Sequence, residues 1–164
     1  MAGDIDQPEV LDTLRTLAPV YAVRGNADKG IWTESLPESL SITLAGIRFY
    51  VIHNKKQIVY NLSDIDIIVY GHTHKYHEEY KNSLLWLNPG CCGHRKASQP
   101  VTLAILEVED NGSYTVRRVD IPNESLIPQK DNKQTTLPKN IDKVLKKAVK
   151  EINSGHSVNE IALL

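Results

Sequence analysis

Long apolar runs, an excess of one charge and an abundance of cysteine are all missing from this chain. No stretch approaches the roughly 20 apolar residues a membrane-crossing helix needs, so a membrane partner is not expected. Nineteen Lys and Arg against twenty Asp and Glu leave a net charge of −1, too little for broad attraction to nucleic acid or anionic lipid. Only two cysteines occur in 164 residues, and no secretory signal opens the chain, so a disulfide scaffold is excluded and a reducing cytoplasm is the expected setting. Cys91 and Cys92 are adjacent, where a mutual bridge forms only with strain; they read as small buried or loop thiols. The 41% hydrophobic share supports one domain with a core and a polar tail.

The residues that are present place chemistry at the ends of strands. Gly71-His72-Thr73-His74 follows the apolar run Ile65 to Tyr70, which reads as a buried strand. Open α/β sheets hold their ligands at such carboxyl ends, and neutral imidazole is a common ligand for divalent metals. Gly25-Asn26-Ala27-Asp28 follows the strand-like Val20 to Val23, and His53 follows the strand-like Ile47 to Ile52. Gly3-Asp4 stands after a stub that fits a strand's last residue. Asp, Asn and His together suit an oxygen- and nitrogen-seeking cation rather than a thiolate site.

In that order, Gly3-Asp4, Gly25-Asn26-x-Asp28, His53 and Gly71-His72-x-His74 resemble the motif set of calcineurin-like metallophosphoesterases, in their small bacterial and archaeal phosphodiesterase branch. Pro19 to Arg24, His53-Asn54-Lys55-Lys56 and Leu85 to Gly90 are similar to that branch too. The resemblance implies an α/β fold, a two-sheet sandwich in α-β-β-α layers, with metal at the strand ends. It implies metal ligation by Asp4, Asn26, His53, His72 and His74. Asn26, Asp28 and His53 would be the catalytic residues, Asp28 as a supporting carboxylate, with the end of a turn an equal reading of that position. Asn26 and Lys55 would contact substrate, although a solvated loop lysine is the plainer account of Lys55. The expected cofactor is a divalent metal, manganese first, with nickel, zinc or iron as alternatives. The expected activity is hydrolysis of a small phosphodiester by a metal-activated hydroxide.

Two departures from the pattern carry expectations of their own. The family opens with a strand bearing Asp-x-His, and this chain shows none; the lacking strand-helix unit amounts to about 30 residues. One of two metals would then keep only Asp4 and His74. The other would keep Asp4, Asn26, His53 and His72, so one cation is expected to bind well. The scaffold and the inactive-fragment alternatives stay open for that reason, and an uncovered sheet edge points to marginal stability or a homodimer. The second departure is Ala27, where related phosphatases often carry a proton-donating histidine; its absence favours leaving groups that depart easily as anions.

The remaining pattern divides the chain into a domain over 1–121, a linker over 122–137 and a helical extension over 138–164. Pro8 to Ala18 is expected as a helix, with Val10, Leu11, Leu14 and Leu17 at helical spacing. Leu40 to Leu44 and the run after Ala45-Gly46 form a hairpin signal, and Asp110-Asn111-Gly112 joins two further strands. Ile141 to Ile152 mark one face of an amphipathic helix. Ser157-Val158-Asn159-Glu160 reads as the capping box of another.

Overall fold

The computed structural model describes residues 1–59, 61–93, 100–121 and 159–164. Helix α1 runs Pro8–Arg15, with Pro8 at its first turn, where a missing N–H costs nothing. It buries Leu11 and Leu14; Leu11 joins Ile5, Ala22 and Leu36 in a small satellite core. Strands β1 (Ser39–Leu44) and β2 (Ile47–Ile52) form the expected hairpin. Its two-residue turn, Ala45 and Gly46, takes φ values of 49° and 80°, the doubly positive geometry that matches strand twist.

Three more strands complete the main sheet: β3 (Ile67–Tyr70), β4 (Tyr76–Lys81) and β5 (Leu84–Pro89), in the order β1-β2-β3-β5-β4. β2, β3 and β5 are parallel neighbours. Every residue of β3 is buried, the pattern of a parallel strand covered on both faces. On one face Phe49, Val51, Ile67, Val69, Leu85 and Leu87 meet Ala104, Leu106 and Val108 of a second sheet. That sheet holds β6 (Val101–Val108), β7 (Tyr114–Ile121) and β8 (Asn159–Leu163) in the order β7-β6-β8. The result is a mixed α/β fold of two packed sheets, five-stranded and three-stranded. No helix among the described residues is long and apolar enough to cross a membrane.

Three local expectations need correction. Val20 to Val23 fall in no assigned strand, yet carry strand-type bonds: Met1 N donates to Tyr21 O at 2.6 Å and Val23 N–H to Met1 O at 3.2 Å, the exchange a parallel neighbour makes, while Arg24 N–H donates to Pro37 O at 2.8 Å. β4 was not expected, because its Tyr-His-Glu-Glu-Tyr-Lys sequence is a polar edge strand with no apolar alternation. Its signal lay in Asn82-Ser83, a two-residue turn at φ 52° and 64°. Finally, the capping box at Ser157 to Glu160 begins no helix. Asn159–Leu163 instead pairs antiparallel with β6, from Val108↔Asn159 to Ala104↔Leu163. A cap satisfies one or two N–H groups, whereas this ladder serves a whole strand and buries Leu163 to 8% exposure, so the tertiary contact wins. Residues 159–163 thus belong to the second sheet and not to a helical extension. The amphipathic helix expected over Ile141 to Ile152 lies outside the described residues.

One exposed ion pair fastens β2 to the start of β3. Arg48 Nε and Nη2 reach Asp66 Oδ2 and Oδ1 at 3.0 and 2.9 Å, and Arg48 N–H adds a bond of 2.8 Å to Oδ2. Hydrogen bonding from Arg48 holds the Asp66 carboxyl below its usual range. A carboxyl depressed in the folded state stabilises above its unfolded pKa of about 3.9, and that contribution disappears as pH falls through the lower folded value. Asp66→Asn should therefore lower Tm by a few degrees at pH 7. The gap from the parent should close in melts run progressively below about pH 4.

Candidate metal centre

Two glycine turns pack against each other to build one wall of the site. Gly3 sits at φ 85°, and the backbone stays in the left-handed region at Asp4 (58°) and Asp6 (73°). A Cβ on Gly25 would fall onto the backbone nitrogen and carboxylate of Asp4 and within 2.9 Å of the Gly3 carbonyl carbon. Gly25→Ala should therefore destabilise by at least about 1–3 kcal/mol, read as a lowered urea midpoint, because backbone rather than a flexible side chain has to yield.

The left-handed turn is held from behind by Asp28, which is buried at 7% exposure. Its Oδ1 accepts from Ile5 N–H at 2.6 Å and Asp6 N–H at 2.9 Å. Its Oδ2 accepts from Gly25 N–H at 2.7 Å and Asp4 N–H at 3.1 Å. Successive amides converging on one anion form a nest, here filled by the protein's own carboxylate. All four bonds go to backbone, so Asp28 ties the Asp4–Asp6 turn to the Gly25 turn.

Asp4, Asn26, His53 and His72 meet in front of this wall. His53 follows β2 and is buried; its Nδ1 lies 2.7 Å from the Ala2 carbonyl oxygen, so that nitrogen carries the proton and donates. In the neutral tautomer, the form that binds metal, Nε2 then offers a lone pair. It faces Asn26 Oδ1 at 2.9 Å and His72 Nδ1 at 3.3 Å, and His72 Nδ1 stands 2.9 Å from the same amide oxygen. Asp4 Oδ1 is 3.5 Å from His53 Nε2. Donors about 2.0–2.2 Å from one cation, at near right angles, are themselves about 3 Å apart. The triangle has that size. A proton can bridge one of its sides, whereas one divalent cation accepts all three lone pairs, so the residues fit such an ion. Among the described residues no three His, Cys, Asp or Glu side chains form a metal group by themselves. The set closes only with the Asn26 amide oxygen.

His74 stands on the other side of Asp4, its Nε2 3.5 Å from Oδ2, so the two carboxylate oxygens face different imidazoles. His72 and His74 take φ values of 66° and 58°, which aim both rings out of one short loop. Asn88 holds that loop and was not anticipated. Fully buried at the end of β5, it donates to Gly71 O at 2.8 Å and Thr73 Oγ1 at 3.0 Å, while its own oxygen accepts from Gly90 N–H at 3.0 Å. Its signal was a polar amide closing the apolar run Leu84 to Leu87.

Lys55 is grouped elsewhere. Its ammonium lies 4.7 Å over the Tyr70 ring centroid and 3.4 Å from the Tyr70 hydroxyl, which is 2.8 Å from His77 Nδ1. Cys91 and Cys92 are unbridged and half-buried. Burial pushes the Cys92 thiol up, away from the thiolate form that ligates metal.

Comparison with known proteins bears on this geometry. Residues 1–111 match the model of the calcineurin-like phosphoesterase superfamily domain. A probable metallophosphoesterase of Methanothermobacter thermautotrophicus is 33% identical over 98 residues, 54% of this chain and 56% of the relative. A phosphodiesterase of Methanocaldococcus jannaschii is 29% identical over 79 residues, 45% of this chain and 46% of that one. The chain spans about half the length of the curated relatives it matches. Among solved structures, an archaeal phosphodiesterase aligns with a TM-score of 0.58 at 25% identity, covering 73% of this chain and 80% of that one. Vps29 of Entamoeba histolytica complexed with zinc aligns at 0.56 and 26% identity, covering 73% and 79%.

Proposed function

This chain belongs to the calcineurin-like phosphoesterase superfamily, and from that premise we propose that it is a metal-dependent phosphoesterase acting on phosphodiesters. The observation that carries the proposal is the triangle of Asn26 Oδ1, His53 Nε2 and His72 Nδ1, with Asp4 beside it. Two of the similar proteins are phosphodiesterases by name, which supports the diester. A divalent cation held there would supply positive charge to a phosphoryl oxygen and make water a better nucleophile near neutral pH. The chain's own residues do the rest. Asp28 sets the Asp4 turn, Ala2 O fixes the His53 tautomer, and Asn88 fixes the His72 loop. Ala27 gives only its backbone N–H, to Asp4 Oδ1 at 2.9 Å, and has no side-chain proton for a departing oxygen.

The second half of a two-ion centre is thin: Asp4 Oδ2 and His74 Nε2 are its donors among the described residues. Two protein ligands hold a transition metal poorly against water, while four hold it well. Calorimetric titration with Mn²⁺ should therefore give one tight site per chain; two tight sites would contradict this. The thin second half also favours a non-catalytic reading, in which one ion is bound and nothing is cleaved. Release of 4-nitrophenol from bis(4-nitrophenyl) phosphate with Mn²⁺ decides between them. No release above the His72→Ala background would remove the enzyme and keep the binding module.

A further inference from the structure

A second polar cluster flanks the loop that carries His72 and His74, and nothing in the chemistry above uses it. Tyr70 ends β3 and His77 lies on β4, so the two stand on either side of that loop. The Tyr70 hydroxyl is 2.8 Å from His77 Nδ1, a bond that reaches across Asn88, the β5 residue paired with His77. Lys55, two residues beyond His53, donates to the same hydroxyl at 3.4 Å and stands 4.7 Å over the Tyr70 ring. We propose that Tyr70 and His77 form a clamp that presets the His72–His74 loop for its cation, with Lys55 joining the clamp to the His53 loop. All three are positioning residues, and the proposal rests on the metal centre for what the loop is preset to hold.

The loop needs such a closure. His72 and His74 are non-glycine residues at φ 66° and 58°, a conformation that persists only where its surroundings impose it. The bonds from Asn88 reach Gly71 and Thr73, whereas the Tyr70–His77 bond joins the two strands on either side. Tyr70 is buried at 2% exposure and packs edge-on against Trp86, ring centroids 6.4 Å apart, so its hydroxyl is a fixed post. The protons along the clamp run in one direction. An ammonium can only donate, so the Tyr70 oxygen accepts from Lys55 and turns its own proton toward His77. Nδ1 of the neutral ring accepts it, which leaves the ring proton on Nε2, 3.9 Å from Glu79 Oε2. Each bond polarises the next, and the cation and carboxylate at the two ends favour the same direction.

The test needs no turnover. Tyr70→Phe removes the bond and keeps the ring, and His77→Leu removes it from the other side. Each should weaken Mn²⁺ binding about tenfold, the low end of what groups that orient a metal ligand contribute. The double variant should also lose about tenfold, because either change alone opens the same clamp; a loss of about a hundredfold would overturn the shared clamp. His77→Asn keeps an acceptor near the Nδ1 position and should bind Mn²⁺ as the parent does, a rescue that a merely structural role would not give. In the metal-free protein the amides of Gly71 and Thr73, bonded to His53 O at 3.0 Å and Gly71 O at 2.8 Å, should exchange faster in Tyr70→Phe. Parent-like Mn²⁺ affinity in both single variants, with His72→Ala still losing it, would overturn the clamp and keep the metal centre. Absence of tight Mn²⁺ binding in the parent would remove the metal centre instead. The clamp is then decided by amide exchange, and equal rates in the parent and Tyr70→Phe would sink it.

Discussion

His72→Ala should cut Mn²⁺ affinity by about 10²-fold or more and bring hydrolysis of bis(4-nitrophenyl) phosphate to background. Changes to groups that merely orient a ligand cost about 10–100-fold, so losing a ligand itself belongs at or beyond that range. His72 Nδ1 touches both Asn26 Oδ1 and His53 Nε2, so its removal leaves a two-atom edge where there was a three-atom face. The side chain is exposed and its loop is tied down through Gly71 and Thr73, so the melting temperature should move little. That separation makes the variant a clean probe. Unchanged Mn²⁺ binding in His72→Ala would remove the metal centre as drawn. His53→Ala should be less clean, because the buried ring also donates to Ala2 O at 2.7 Å and packs at 6% exposure.

That Asn26, His53 and His72 come together was legible because strands deliver side chains at fixed places. Continuous apolar runs located β2 and β3, and the first polar residues after them are His53 and, beyond one glycine, His72. What stayed hidden depends on contacts between distant segments. The four amides around Asp28 come from two turns more than 20 residues apart in sequence, so its role could not be separated from a plain turn residue. Val20 to Val23 has strand composition, and its backbone bonds go to Met1, while that of Arg24 goes to Pro37. Asn159–Leu163 carries a helix-capping signature and is overridden by the open side of β6. Lys55 is near His53 in sequence, but the three-residue 3₁₀ turn Lys55–Gln57 directs it to Tyr70.

Asp28 should prove to be the residue whose loss the fold tolerates least. Of its four bonds, those from Ile5 and Gly25 are buried, and each buried donor left unpaired costs about 1–3 kcal/mol. Asp28→Ala should therefore cost about 2–6 kcal/mol from these two alone, a large share of the roughly 5–15 kcal/mol that holds a domain together. The chain should melt far below the parent or fail to fold. Asp28→Asn keeps one oxygen but turns an NH₂ toward a pair of N–H donors, so about half the penalty should remain. Calorimetry and Mn²⁺ titration on Asp28→Asn separate two roles. A group touching substrate would lose turnover with Tm intact. A group that shapes the Asp4 turn loses thermal stability and Mn²⁺ affinity together, because the left-handed backbone at Asp4 and Asp6 relaxes once its anion is gone. The second outcome is expected, and Asp28→Asn with a parent-like Tm and a dead active site would refute it.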